Sequence, residues 1–118
     1  MSLSSLAKPI AWFSFALGAA ELLAPRKIAD AHGAPEGKNL VRAFGLRELA
    51  AGGAVLARPN SAWPFVARAA GDLLDAGAAG YAARNSSGRS RTIALLSLGA
   101  VAGFFVLDAL VARENAQA

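Results

Sequence analysis

The stretch Thr92–Leu107, TIALLSLGAVAGFFVL, carries no charge, and the residue that follows it is Asp108. A membrane crossing takes about 17–25 mainly apolar residues, and this segment reaches that length when extended to Ala112. Asp108 conflicts with a lipid-facing position, because a charge in hydrocarbon is costly unless it is paired or wetted. A residue so placed is expected to face a bundle interior. Outward from here the same combination recurs three times. Glu21 sits in an apolar segment from about Ala7 to Leu23. Arg42, Arg47 and Glu48 sit in one from about Asn39 to Ala57. Arg68, Asp72 and Asp75 sit in one from near Ser61 to near Ala83.

The boundaries follow from breakers and caps. Pro9 is tolerable in a first helical turn. Pro25 stops the first segment, because it cannot continue the hydrogen-bond ladder. Arg26–Ala31 reads as a short amphipathic piece at the membrane interface, followed by Gly33, Pro35 and Gly37. Asn39 is a plausible N-cap. Arg58-Pro59-Asn60 ends the second segment, Pro64 stands in the first turn of the third, and Asn85-Ser86-Ser87-Gly88 forms a turn. The expectation is an all-α, four-transmembrane-helix bundle with a short interfacial helix after helix 1, in one domain spanning 1–118. Only the fourth segment satisfies a strict hydropathy window. The competing reading is a soluble, alanine-rich four-helix bundle, which needs a broad polar face that no segment has.

Composition agrees. The 118 residues are 55% hydrophobic and 17% charged, with mean hydropathy +0.40. Soluble domains carry roughly 25% charged residues, so the excess apolar surface calls for lipid. The pI of about 10.4 and net charge of +4 do not point to nucleic acid, because the basic residues neither cluster on one helix nor interleave with surface aromatics. Arg26, Lys27, Lys38, Arg84, Arg89 and Arg91 fall on one side of the bundle, against Lys8, Arg58 and Arg113 on the other. The positive-inside bias places the richer side in the cytoplasm and both termini outside. Alanine runs allow close helix approach in lipid. With no cysteine and a lone His32, disulfides, thiol catalysis, iron–sulfur clusters and a three-histidine metal site are excluded. The first segment lacks a clean cleavage site and is expected to be a retained helix.

The eight ionisable residues form a pattern in depth. At about 1.5 Å per residue, Glu21 lies level with Arg42 near the cytoplasmic end. Arg47 and Glu48 lie level with Asp72 and Asp75 near mid-membrane, and Arg68 lies level with Asp108 in the outer third. Glu21–Arg42 and Arg68–Asp108 are the expected pairs. Arg68, Asp72 and Asp75 recur at i, i+4, i+7 on one face. Glu48 shares a face with Gly45 and Gly52, and Glu21 continues a small, polar stripe with Ser14 and Gly18. Five acids face three arginines. In the centre, one arginine cannot neutralise three carboxylates, so one acid is expected to keep its proton or to hold a cation. Asp75, further from Arg68 than Asp72 is, is the first choice. The network reads either as a structural set of ion pairs fixing helix register, or as a proton or ion relay or polar pocket; some of these residues could also sit at the interface.

Gly99 and Gly103 form a G-x-x-x-G roughly opposite Asp108, suited to dimerisation or to packing on helix 1. Trp12, Trp63 and Tyr81 fall near segment ends, as interfacial anchors do. No Walker, Rossmann, Ser-His-Asp or HExxH pattern is present.

Several motifs carry a resemblance. They are Trp12-Phe13-Ser14 through Gly18, Glu21-Leu22-Leu23-Ala24-Pro25-Arg26, Arg42-Ala43-Phe44-Gly45-Leu46-Arg47-Glu48, Arg68-Ala69-Ala70-Gly71-Asp72-Leu73-Leu74-Asp75, and Leu107-Asp108. Together they resemble a group of small bacterial four-helix membrane proteins, over nearly the whole chain. In some relatives this unit precedes a START-like (polyketide cyclase/dehydrase) domain. No such domain stands in these 118 residues, so the cyclase label is not carried over. The resemblance implies membrane location and no defined activity.

The expected role is a non-enzymatic, multi-pass protein of the bacterial inner membrane. It would be a structural or accessory module without a cofactor, in a homo-oligomer or a larger complex. The alternative is a small proton- or ion-coupled transporter or channel using the mid-membrane carboxylates. An enzyme on a lipid-soluble substrate is the third reading, resting on paired acids alone.

Overall fold

The computed structural model describes residues 3–32 and 37–117. A 3-10 turn (Leu3–Leu6) leads into α1 (Ala7–Leu23), followed by α2 (Pro25–Ala31), α3 (Lys38–Ala57), α4 (Trp63–Arg84) and α5 (Gly88–Gln117). No strand occurs among the described residues. The turn expected at Gly33 and Pro35 lies outside them. Pro25 acts as anticipated and does more. Ala24 closes α1 by donating its N–H to Ala20 O at 2.9 Å. Pro25 then opens α2, where a missing N–H is harmless.

Two expectations need correction. Asn39 does not cap α3: the helix starts one residue earlier, after Gly37, without a side-chain cap. Asn39 Oδ1 instead accepts from Arg42 Nη1 at 3.2 Å. The fourth long helix also outruns its apolar stretch at both ends, covering 30 residues. Gly88, at φ +59°, releases the chain from the preceding turn, a conformation glycine adopts without Cβ strain. At the far end Asn115 Nδ2 donates to Pro59 O and Ser61 O, and Glu114 Oε2 accepts from Leu3 N at 3.0 Å. These contacts hold the last helical turns onto the α3–α4 loop and the N-terminal turn. Thirty residues at about 1.5 Å rise span about 45 Å, the long dimension of the molecule, which measures 45 × 23 × 19 Å.

The four long helices form two intimate pairs, α1 with α3 and α4 with α5, and α3 meets α4 sparsely. The short loop between α3 and α4 therefore does not make them the closest partners. Small residues explain the first pair. A Cβ on Gly18 would stand 2.8 Å from Gly45 O, and one on Gly52 would stand 2.9 Å from the Phe15 ring. Gly99 and Gly103 have nothing within 4 Å of such a Cβ, so their face is open and does not pack on α1.

Along the bundle the interior has three zones. At the end holding both termini, Ile10, Ala11, Val55, Phe65, Val111 and Ala112 make an apolar core. Charged side chains fill the middle. Toward α2 the two pairs stand apart around a cavity. Among the described residues, α5 alone is long and apolar enough to cross a membrane, with mean hydropathy 2.2 over its best 18 residues.

Candidate functional site: a charge belt above a cavity

Because the helix pairs do not touch closely at mid-height, long side chains bridge them. Arg68 on α4 is 5% exposed. Its Nε donates to Asp108 Oδ1 on α5 at 3.1 Å. Its Nη1 donates to Ser14 Oγ on α1 at 2.7 Å and to Glu48 Oε2 on α3 at 3.3 Å. Ser14 Oγ lies 2.6 Å from both the carbonyl oxygen and Oε2 of Glu48, and its single proton serves one of them at a time. One guanidinium thus ties together all four long helices.

Arg47 on α3 makes the second bridge. Its Nη2 donates to Glu48 Oε1 at 2.9 Å and to Asp75 Oδ2 on α4 at 2.7 Å. Its Nη1 donates to Gly71 O at 3.1 Å. A Cβ on Gly71 would stand 3.0 Å from Arg47 Cζ, so this contact needs a small residue there. The guanidinium also lies 5.1 Å from the Phe44 ring centroid, within cation–π range.

The expected Arg68–Asp108 pair is therefore present. The Glu21–Arg42 pair is not: Arg42 is exposed and bonds Asn39 one turn away, while Glu21 is buried against Gly45. The outer third and the centre are not separate levels either. Glu48 touches both arginines and joins them into one belt. Asp75, the first choice for the acid that keeps its proton or holds a cation, is ion-paired to Arg47. Of the five acids in the network, Glu48, Asp75 and Asp108 are ion-paired, and Glu21 and Asp72 are not. Glu21 Oε1, Asp72 Oδ2, Asp75 Oδ1 and Asp108 Oδ2 are buried without a hydrogen-bond partner.

Below the belt lies a cavity of about 390 Å³. Glu21, Glu48, Arg68, Asp72 and Asp75 line its polar end, and Phe13, Leu17, Phe44, Val101 and Phe104 line its walls. Phe13 and Phe104 stack at 4.4 Å between centroids, joining α1 to α5. At the α2 end, His32 Nδ1 lies 2.8 Å from Ile28 O and Nε2 lies 2.8 Å from Ser97 Oγ. A carbonyl can only accept, so Nδ1 carries a proton, and in the neutral ring Nε2 accepts from Ser97.

Ser14, Gly71 and the His32–Ser97 contact were not assigned roles by sequence reasoning. Ser14 was legible only as part of the Ser14–Gly18–Glu21 stripe. Gly71 sits between Arg68 and Asp72, where any side chain would crowd the opposite guanidinium. His32 and Ser97 are 65 positions apart, and no local pattern links them. Comparison with family models, curated proteins and solved structures found no match.

Proposed function

We propose that this chain is a multi-pass module of the bacterial inner membrane, with a structural or accessory and non-enzymatic role. The observation that carries the reading is an inside-out distribution of side chains. Leu46, Val66, Leu73, Leu74, Leu96 and Val106 are exposed, while Glu48, Arg68, Asp72 and Asp108 are buried. In water such a molecule forfeits apolar burial and desolvates its charges as well. In lipid the exposed residues are at home, and an inward-facing polar cluster is the arrangement that tolerates charge. The other long helices have 17, 20 and 22 residues, lengths suited to a crossing of about 17–25 residues. The two-faced α2, with Arg26 and Lys27 exposed and Pro25 and Ala29 buried, fits the headgroup layer. The resemblance to small bacterial four-helix membrane proteins supports the same placement.

Lipid supplies no hydrophobic force between helices, so packing and polar contacts hold them together. The Gly18–Gly45 approach and the Arg68 and Arg47 bridges fill those two roles. The open Gly99–Gly103 face on α5 suits a second helix, from another copy or from a larger assembly. Alkaline carbonate extraction of membranes should leave the protein in the pellet. Recovery as a soluble monomer without detergent would overturn the reading.

A proton- or ion-coupled transporter is the second reading, favoured by the buried carboxyl oxygens without partners. Liposomes holding the purified protein should show no more proton flux than empty ones if the role is accessory. Flux that Asp72→Asn abolishes would select the transporter instead.

A further inference from the structure

The cavity combines three properties that together specify a ligand. Its volume, about 390 Å³, falls in the range of small-molecule sites, roughly 300–1,000 Å³. Its walls are aliphatic and aromatic. Its polar end presents carboxylates with free acceptor capacity: Glu21 is 9% exposed and Asp72 is 5% exposed, both line the space, and Glu21 Oε1 and Asp72 Oδ2 have no hydrogen-bond partner. The one cation lining the cavity, Arg68, is already engaged by Glu48, Asp108 and Ser14. At this polar end the spare hydrogen-bonding capacity belongs to carboxylate acceptors, next to an apolar body; the donors His32 and Ser97, which also line the space, are bonded to each other.

We propose that this cavity binds an organic monocation, an alkyl- or arylalkyl-ammonium, whose N–H groups donate to Glu21 and Asp72 and whose apolar body lies among Phe13, Phe44 and Phe104. A bare metal ion fits poorly, because no group of three His, Cys, Asp or Glu side chains converges for one among the described residues. An anion would meet four acids, Glu21, Glu48, Asp72 and Asp75, at the polar end. An ammonium instead pairs buried acceptors that would otherwise stay unsatisfied. The proposal is independent of the choice between accessory and transport roles, since it requires only this cavity.

The test uses three probes of one shape: 4-phenylbutylammonium, the neutral 4-phenyl-1-butanol and the anionic 4-phenylbutyrate. Each is titrated calorimetrically into the full-length protein in detergent, with protein-free micelles as the blank. The ammonium should bind one to one, with the alcohol and the carboxylate about tenfold weaker or more. Glu21→Gln and Asp72→Asn should each weaken the ammonium by about tenfold, and exposed Arg42→Ala should leave it unchanged. Glu21 makes no ion pair to another helix, so Glu21→Gln keeps the test decisive even if Asp72→Asn fails to fold. Equal binding of all three probes would reduce the site to an unspecific apolar hole and overturn the proposal. Preferential binding of the carboxylate, displacement of the ammonium by equimolar magnesium, or full affinity in folded Glu21→Gln would overturn it as well.

Discussion

Arg68 is the residue on which the bundle turns. It is buried, it reaches α1, α3 and α5 from α4, and its removal leaves Asp108 without its cation and Glu48 with Arg47 alone. Breaking such a buried pair costs about 3–5 kcal/mol, mostly for the charge left behind. Arg68→Met should therefore destabilise by about that amount in unfolding of the detergent-solubilised protein. Adding Asp108→Asn should recover part of the loss, because it removes the uncompensated charge rather than a favourable contact. A double variant as unstable as the sum of the singles would contradict this account of the belt. The Arg68–Asp108 pair was legible from depth along the helices. The Glu21–Arg42 pair failed on the same logic, since depth fixes height and not azimuth: Arg42 is exposed and donates to Asn39, while Glu21 packs on Gly45.

At the scale of the helix, glycine decides which elements touch. Gly18 and Gly45 bring α1 and α3 so close that each would-be Cβ meets the other's carbonyl oxygen at 2.8 and 3.0 Å. Backbone cannot yield as a flexible side chain can, so Gly18→Val should cost about 1–3 kcal/mol. Gly99→Val and Gly103→Val point into open space, and the stability of the monomer should hold apart from the small change in helix propensity. A thermal melt of the three variants checks the contrast. An equal loss at all three positions would mean that α5 packs otherwise than described. Sequence reading placed Pro25, Pro64 and the ends of α1 correctly, because breakers act locally. It set the ends of α5 short, because Gly88 to Arg91 and Arg113 to Gln117 are polar and nothing local marks them as helical. At the C-terminal end the helix is held by long-range contacts, Asn115 with the α3–α4 loop and Glu114 with Leu3. The pairing of α1 with α3 and α4 with α5 was likewise hidden, because a short loop suggests adjacency without fixing how closely the helices approach.

The whole molecule is apolar on its flanks, charged at its centre and hollow toward α2. Helical content and inward charges could be read from sequence, because apolar stretches interrupted by single charges have few other solutions. The cavity could not: it arises where two close pairs part, and small residues such as Ala79 and Ala100 line it without announcing it. A four-pass bundle has its two ends on opposite sides of a bilayer. Arg26, Lys27, Arg84, Arg89 and Arg91 are exposed at the α2 end, and Lys8, Arg58 and Arg113 at the other. The absence of cysteine makes the measurement direct, since any introduced thiol is unique. Single cysteines at Lys8, Lys27, Arg58, Arg89 and Arg113 are labelled with a membrane-impermeant maleimide in intact cells and in inverted vesicles. The account predicts that Lys8→Cys, Arg58→Cys and Arg113→Cys label from the periplasmic side, and that Lys27→Cys and Arg89→Cys label from the cytoplasmic side. Labelling of Arg58→Cys and Arg89→Cys from the same side would contradict a four-pass bundle.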